Sequence, residues 1–159
     1  MYLLFCPCIR EPALRAVGIT HERDRSAFER VLTRCRIFNI PVRYLPCPET
    51  RYLGRDREPA TYSDRLDTNQ FAMLLDECEK EVREMIKNFG PPSMIVGVNS
   101  SPTCGVTQNW KSPAGREAGR GVFLMRFSDI PAFDVYAAAS FRVYLASPLF
   151  SEAERAWNH

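Results

Sequence analysis

Residues 68–98 read TNQFAMLLDECEKEVREMIKNF, GPP and SMIVGV, which are an amphipathic segment, a break and a short apolar run. Apolar residues recur every three or four positions in the first segment, and this spacing predicts a helix from about Thr68 to Phe89. Gly90 and the two prolines after it end the helix. The apolar run at 93–98 predicts a buried strand, so a helix leads directly into a strand.

The same alternation extends along the chain in both directions. Three further strands and a second long helix are predicted at Tyr2–Phe5, Val42–Leu45 and Arg142–Ala146, and at Arg25–Phe38. Near-continuous apolar strands that alternate with helices are typical of an α/β fold. We therefore expect a three-layer, Rossmann-like fold with a mostly parallel sheet and helices on both of its faces.

The remaining segments have weaker patterns. We expect the polar, Arg-rich residues 46–66 to form a long loop, and the Gly- and Pro-containing residues 105–121 to form a second one. The run Val122–Phe127 predicts a further strand, followed by a short helical stretch through Ala139. A last helix is expected over Phe150–Trp157.

The composition fits a single folded domain. The 159 residues are 45% hydrophobic and 25% charged, a balance that argues against disorder. A net charge of +2 is too small for nucleic-acid binding by bulk electrostatics, and no apolar run approaches the roughly 20 residues of a membrane helix. Since the first residues lack the basic region of a signal peptide, we expect a cytoplasmic protein with neither membrane nor nucleic acid as a partner.

Six cysteines in a chain with no export signal are expected to be reduced thiols. Two histidines are too few for a typical His-based metal site, and they make a Ser-His-Asp triad improbable. Cys35 and Cys78 lie on the apolar faces of the two predicted helices, where cysteine packs as a small hydrophobic residue.

Three other cysteines, Cys8, Cys47 and Cys104, each follow a predicted strand. Because ligands bind beyond the carboxyl ends of parallel strands, these thiols are expected to share one site. Three thiolates suit zinc or an iron–sulfur cluster, and the alternative is that all three are buried loop cysteines. Cys6 and Cys8 alternate in an extended segment, so at most one of them is expected to face that site.

The same residues carry a resemblance to a known family. Cys8-Ile9, Cys47-Pro48-Glu49 and Ser101-Pro102-Thr103-Cys104-Gly105, in this order, resemble the 2-thiouracil desulfurase family over residues 1–135. Gly119-Arg120-Gly121-Val122 is similar to the glycine pair that precedes a strand in that family. Members hold a [4Fe–4S] cluster on three cysteines and leave the fourth iron without a protein ligand.

This resemblance implies an enzyme that desulfurates a thiolated nucleobase or nucleoside. It places the cluster ligands at Cys8, Cys47 and Cys104, a general acid/base at Glu49, and a hydroxyl near the substrate at Ser101. The alternative without a catalytic role is that Glu49 is a loop carboxylate, solvated or paired with nearby Arg51. The corresponding alternative for Ser101 is that its hydroxyl stabilises a turn.

The sequence departs from the family at three places. The N-terminal motif of the family is richer in small residues and lacks a cysteine like Cys6. Thr103 stands where the family has a second serine, and three arginines replace the glycines and the Pro-Arg pair that follow the Cys-Pro-Glu motif. Arginines in this position suit recognition of a phosphate. The alternative is a solvated loop. The three are Arg51, Arg55 and Arg57.

A second resemblance lies at the end of the chain. Residues 142–157 resemble the opening strand, loop and first helix of nucleoside 2-deoxyribosyltransferases. The catalytic glutamate of those enzymes lies well beyond this segment. We therefore expect a desulfurase-like domain at 1–140 and the start of a truncated domain at 141–159, in the front part of a longer protein or in a shortened gene product. The alternative is that this strand and helix simply complete the sheet.

Three hypotheses remain open at this point. The first is the iron–sulfur desulfurase. The second is a non-enzymatic zinc module on the three cysteines, with Cys6 or Glu49 as its fourth ligand. The third is the nucleoside-binding N-terminal part of a deoxyribosyltransferase-like fusion, in which the cysteines are structural.

Overall fold

Apolar runs form the inner strands of a parallel sheet in the computed structural model, which describes residues 1–138. The strands are β1 (Leu3–Phe5), β2 (Val42–Tyr44), β3 (Met94–Gly97), β4 (Gln108–Ser112), β5 (Gly115–Ala118) and β6 (Ala132–Asp134). The parallel sheet has the order β2-β1-β3-β6, and β4 pairs with β5 as a separate antiparallel hairpin. β1 and β3 lie at the centre and are buried along their whole length, which explains their unbroken hydrophobicity.

The helices connect these strands. They are α1 (Glu22–Ile37), α2 (Pro48–Leu53), α3 (Asn69–Phe89) and α4 (Val135–Ala138). α3 is the predicted helix: the Thr68 hydroxyl accepts a hydrogen bond from the backbone N–H of Phe71 at 3.1 Å and caps its start. Gly90, at a φ of 81°, follows its last turn.

The order of the strands explains the layering. From β1 the chain runs through α1 to β2 on one side, and then through α3 to β3 on the other side of β1. Because such crossovers are right-handed, this reversal of direction sets α1 and α3 on opposite faces of the sheet. The predicted α/β class and mostly parallel sheet are confirmed.

Two predicted loops contain regular structure. Residues 46–66 hold α2, with Pro48 at its first position, and a single π-helical turn at Tyr62–Leu66. Residues 105–121 hold the β4–β5 hairpin. These strands are polar and mostly half-buried or exposed, so hydrophobic periodicity does not reveal them.

The strand predicted at 122–127 is also wrong. Leu124–Phe127 is a 3-10 helix rather than a strand. Phe123 and Phe127 are four residues apart and both fully buried, a spacing that is typical of a helix. Their rings stack edge to face, with 5.3 Å between the ring centres. The fourth strand of the parallel sheet is β6 instead, and the short α4 that follows it lies within the helical stretch predicted through Ala139. The expected strand at 142–146 and helix at 150–157 lie outside the described residues, as does the expected domain at 141–159.

No helix within residues 1–138 combines the length and the apolar character that crossing a membrane requires.

Two glycines lie against the turn that carries Cys104. A Cβ atom on Gly97 would lie 2.6 Å from the carbonyl oxygen of Cys104, and one on Gly121 would lie 2.8 Å from the Cys104 nitrogen. Only glycine lets the backbone segments approach so closely.

Gly121→Ala is therefore expected to lower the free energy of unfolding by about 1–3 kcal/mol, because the methyl group must displace backbone rather than a flexible side chain. Urea denaturation of the apoprotein measures this. Ala118→Ser, at an exposed strand position nearby, serves as the control and is expected to change stability by less than about 0.5 kcal/mol. Equal stability of the two variants would contradict the tight packing under the turn.

Candidate functional site

Three cysteines meet at the carboxyl end of the parallel sheet. Cys8 lies in a 3-10 turn directly after β1, Cys47 is the N-cap residue of α2 after β2, and Cys104 lies in the turn after β3. The carbonyl of Cys104 accepts a hydrogen bond from the backbone N–H of Val98 at 3.0 Å, which ties its turn to the strand. All three side chains line one cavity of about 590 Å³.

Cys6 lines the same cavity, contrary to the expectation that only one residue of the Cys6–Cys8 pair faces the site. The chain is not extended here, because Pro7–Ile9 form a turn of 3-10 helix that brings both side chains round to one side. Cys6 is completely buried, and its proximity to the Cys104 thiol, together with burial, raises the pKa of Cys6.

Burial and the neighbouring thiols raise the pKa values of Cys8 and Cys47. Burial is the main reason that the pKa of Cys8 is raised, the Cys104 and Cys47 thiols raise it further, and the Arg15 guanidinium lowers it. Burial also raises the pKa of Cys47, against the effect of its hydrogen bond with Thr50. A metal or cluster bound here must displace protons from the thiols, so its binding is favoured by higher pH.

The two helix cysteines lie elsewhere. Cys35 and Cys78 are buried in the hydrophobic core on α1 and α3, and neither lines the cavity. Burial raises the pKa of Cys35 from its ordinary value of 9.0 to about 12. Their surroundings are those of small core residues.

A carboxylate and two hydroxyls lie together beside the thiols. Glu49 Oε1 accepts hydrogen bonds from Thr103 Oγ1 at 2.6 Å and from Ser101 Oγ at 3.2 Å. Ser101 Oγ in turn accepts from the backbone N–H of Cys104 at 3.0 Å. The predicted residues Glu49 and Ser101 therefore contact each other, although 52 positions separate them in the sequence.

The partner of Glu49 is Arg57, not Arg51. Arg57 Nη2 lies 3.2 Å from Glu49 Oε2, and only 6% of the Arg57 residue surface is exposed. Arg51 instead binds Glu81, and Arg55 binds Glu11. Each of the three arginines already has a carboxylate partner, so this stretch is neither a uniformly solvated loop nor a row of free phosphate-binding groups.

The outer wall of the cavity is aromatic. Trp110, on β4, and Tyr136, on α4, both line it, and each has an arginine over its ring. The guanidinium carbon of Arg116 lies 5.5 Å from the centre of the Trp110 ring, and that of Arg23 lies 4.8 Å from the centre of the Tyr136 ring. The polar strands of the β4–β5 hairpin show no hydrophobic period, so the sequence pattern predicts a loop there and does not reveal that Trp110 lines the cavity.

The thiols suit a cluster better than a single ion. Within residues 1–138, no three or more histidine, cysteine, aspartate or glutamate side chains are arranged to hold one metal ion. A tetrahedral zinc site needs sulfurs about 3.8 Å apart, since each lies about 2.3 Å from the metal. In a [4Fe–4S] cluster each cysteine binds a different iron, so the ligands surround a larger space. The thiols on this cavity wall are soft donors of the kind that cluster iron binds.

Comparison with known proteins gives one relative by sequence and one by structure. No family model matches the chain. Over 91 residues the chain is 29% identical to an uncharacterized protein of Methanocaldococcus jannaschii, and this match takes in 55% of the chain and 58% of that protein's length. The structure superposes on the [4Fe-4S]-dependent thiouracil desulfidase TudS with a TM-score of 0.54, over 84% of this chain and 89% of that one, at 15% identity. The chain has the thiouracil desulfidase fold.

The desulfidase fold agrees with the resemblance seen in the sequence. At this low identity the match establishes the architecture, while the chemistry depends on the residues in the cavity. In this chain the cavity at the strand ends of the desulfidase fold contains four thiols and a carboxylate that is bound to two hydroxyls.

Proposed function

We propose that this protein removes sulfur from a thiolated nucleobase or nucleoside with the help of a [4Fe–4S] cluster. The observation that carries this proposal is the convergence of Cys8, Cys47 and Cys104, from three strand ends, on one cavity that also contains Glu49. The resemblance in sequence and the desulfidase fold support it independently.

Cys8, Cys47 and Cys104 are the proposed ligands of the cluster. Each follows a different strand, and all three line the same cavity. Cluster iron prefers thiolate ligands. When bound on three thiolates, such a cluster supplies an iron with a vacant coordination position, which acts as a Lewis acid toward a thiocarbonyl sulfur.

Glu49 is the proposed proton-transfer group. The reaction C=S + H₂O → C=O + H₂S involves no change of oxidation state, but the attacking water must lose protons and the departing sulfur must gain them. Thr103 and Ser101 hold Glu49 Oε1 by hydrogen bonds and thereby fix its direction. The aromatic wall at Trp110 and Tyr136 offers flat surfaces for a planar ring.

The test is anaerobic reconstitution followed by a turnover assay. About four irons and four sulfides per chain are expected, with broad absorption near 400 nm. The loaded protein is then given 2-thiouracil and 4-thiouridine, and conversion to uracil and uridine with release of sulfide is followed by chromatography. A protein that takes up no iron and sulfide, or a loaded protein that leaves every thiolated base and nucleoside intact, would overturn the proposal.

A further inference from the structure

Arg57 is a buried cation with contacts in several directions. Its Nη1 donates to the carbonyl oxygen of Gly54 at 3.1 Å and to Thr50 Oγ1 at 3.2 Å, and its Nη2 donates to Glu49 Oε2 at 3.2 Å. Its own carbonyl accepts from the backbone N–H of Val17 at 2.9 Å. A guanidinium with only 4% of its side chain exposed is costly to bury unless such partners are present.

One branch of these contacts reaches Cys47. Thr50 Oγ1 lies 3.1 Å from Cys47 Sγ, and it also donates to the carbonyl oxygen of Leu14 at 3.0 Å. The Thr50 hydroxyl is therefore held between Arg57, the Cys47 thiol and the loop after β1. Through Thr50, Arg57 braces the first turn of α2.

The other branch reaches Cys104. Glu49 Oε2 binds Arg57, while Oε1 accepts from Thr103 and Ser101. Ser101 Oγ accepts from the Cys104 backbone N–H, and Thr103 Oγ1, whose proton is donated to Glu49, lies 3.6 Å from Cys104 Sγ. An unbroken chain of hydrogen bonds thus joins Arg57 to the turn after β3.

We propose that Arg57 is the positioning residue of this site: it holds the Glu49 carboxylate against Ser101 and Thr103 and thereby fixes the Cys47 and Cys104 turns relative to each other. The effect of Arg57 on catalysis rests on the proposed function, whereas its effect on the structure of the two turns does not. Arginine suits the task because its planar fork donates in several fixed directions at once, whereas a lysine ammonium at the end of a flexible stem does not.

The first test uses the apoprotein and needs no activity. In Arg57→Gln, amide hydrogen exchange in a peptide covering 101–105 is expected to become about tenfold faster or more, because the brace on this turn is lost. Exchange in α3 is expected to stay unchanged. Arg55→Gln, which removes an exposed arginine paired with Glu11, is the control and should leave the 101–105 exchange unaltered.

The second test uses the reconstituted protein and a double-mutant cycle. Arg57→Gln is expected to lower kcat by about 10²-fold, to keep its iron and sulfide, and to change KM little. The double variant Arg57→Gln/Glu49→Gln is expected to have nearly the same kcat as Glu49→Gln alone, since Arg57 acts through Glu49. Arg57→Lys should recover only part of the rate.

Each contrary outcome has a distinct meaning. Unchanged exchange at 101–105, equally faster exchange throughout α3, or fully additive effects of the two variants on kcat would overturn the positioning role. A loaded wild-type protein that converts no thiolated substrate would overturn the proposed function instead. The exchange experiment would still decide whether Arg57 braces the two turns.

Discussion

Replacing Cys104 with alanine is expected to reduce the iron content after anaerobic reconstitution from about four atoms per chain to less than one. The reason is that Cys8 and Cys47 alone leave two of the four irons of a cubane without a protein ligand, whereas the intact site leaves one. Cys8→Ala and Cys47→Ala are expected to have the same effect. Iron and acid-labile sulfide assays, with the visible spectrum, measure the loss.

Because the Cys6 thiol is a neighbour of Cys104, the Cys104 substitution must also be tested in a variant that lacks Cys6. Because Cys6 contacts Cys104, it is near enough to replace the missing ligand, so Cys104→Ala is also prepared together with Cys6→Ala. Cys6→Ala alone is expected to keep a full cluster. The matched controls Cys35→Ala and Cys78→Ala should keep it too and lose on the order of 1 kcal/mol of stability. A full cluster in the Cys6/Cys104 double variant would refute the ligand assignment.

Exchanging Glu49 for glutamine is expected to leave the cluster in place and to lower turnover by about 10²-fold or more. Glutamine has nearly the same shape and still offers an oxygen to Thr103 and Ser101, but it cannot take a proton from water. The measurement is kcat on a thiolated base with protein of equal iron content. This comparison separates loss of proton transfer from loss of the cofactor.

Glu58→Gln is the matched control for this experiment. Glu58 lines the same cavity but is exposed and has no ion-pair partner within residues 1–138. Its substitution is expected to leave turnover within about twofold of wild type. Wild-type turnover in Glu49→Gln, or an equal loss in Glu58→Gln, would remove Glu49 from the mechanism.

The parts of the site that directly follow strongly apolar strands could be predicted from the sequence. The apolar runs at β1, β2 and β3 mark the strand ends, and parallel pairing brings Cys8, Cys47 and Cys104 to one edge. These relations depend only on strand position and direction.

The contacts of Arg57 could not be predicted in this way. Residues 46–66 have no apolar period, so nothing in the pattern separates a buried arginine from its exposed neighbour Arg55. The prediction that at most one of Cys6 and Cys8 faces the site was also wrong. It assumes that side chains alternate along an extended backbone, whereas a 3-10 turn is present here. For the hairpin, Pro113, Ala114 and Gly115 between two short polar runs were a usable turn signal.

The spread of the three thiols over separate loops has a consequence for how the protein matures. Parallel strands pair only after long crossovers have closed, which makes such sheets slow to assemble. The site therefore does not exist in a nascent or partly folded chain, where the cysteines are accessible thiols with ordinary reactivity. Under the proposed function, a cluster would be inserted only after folding, and once bound it would stabilise the folded chain.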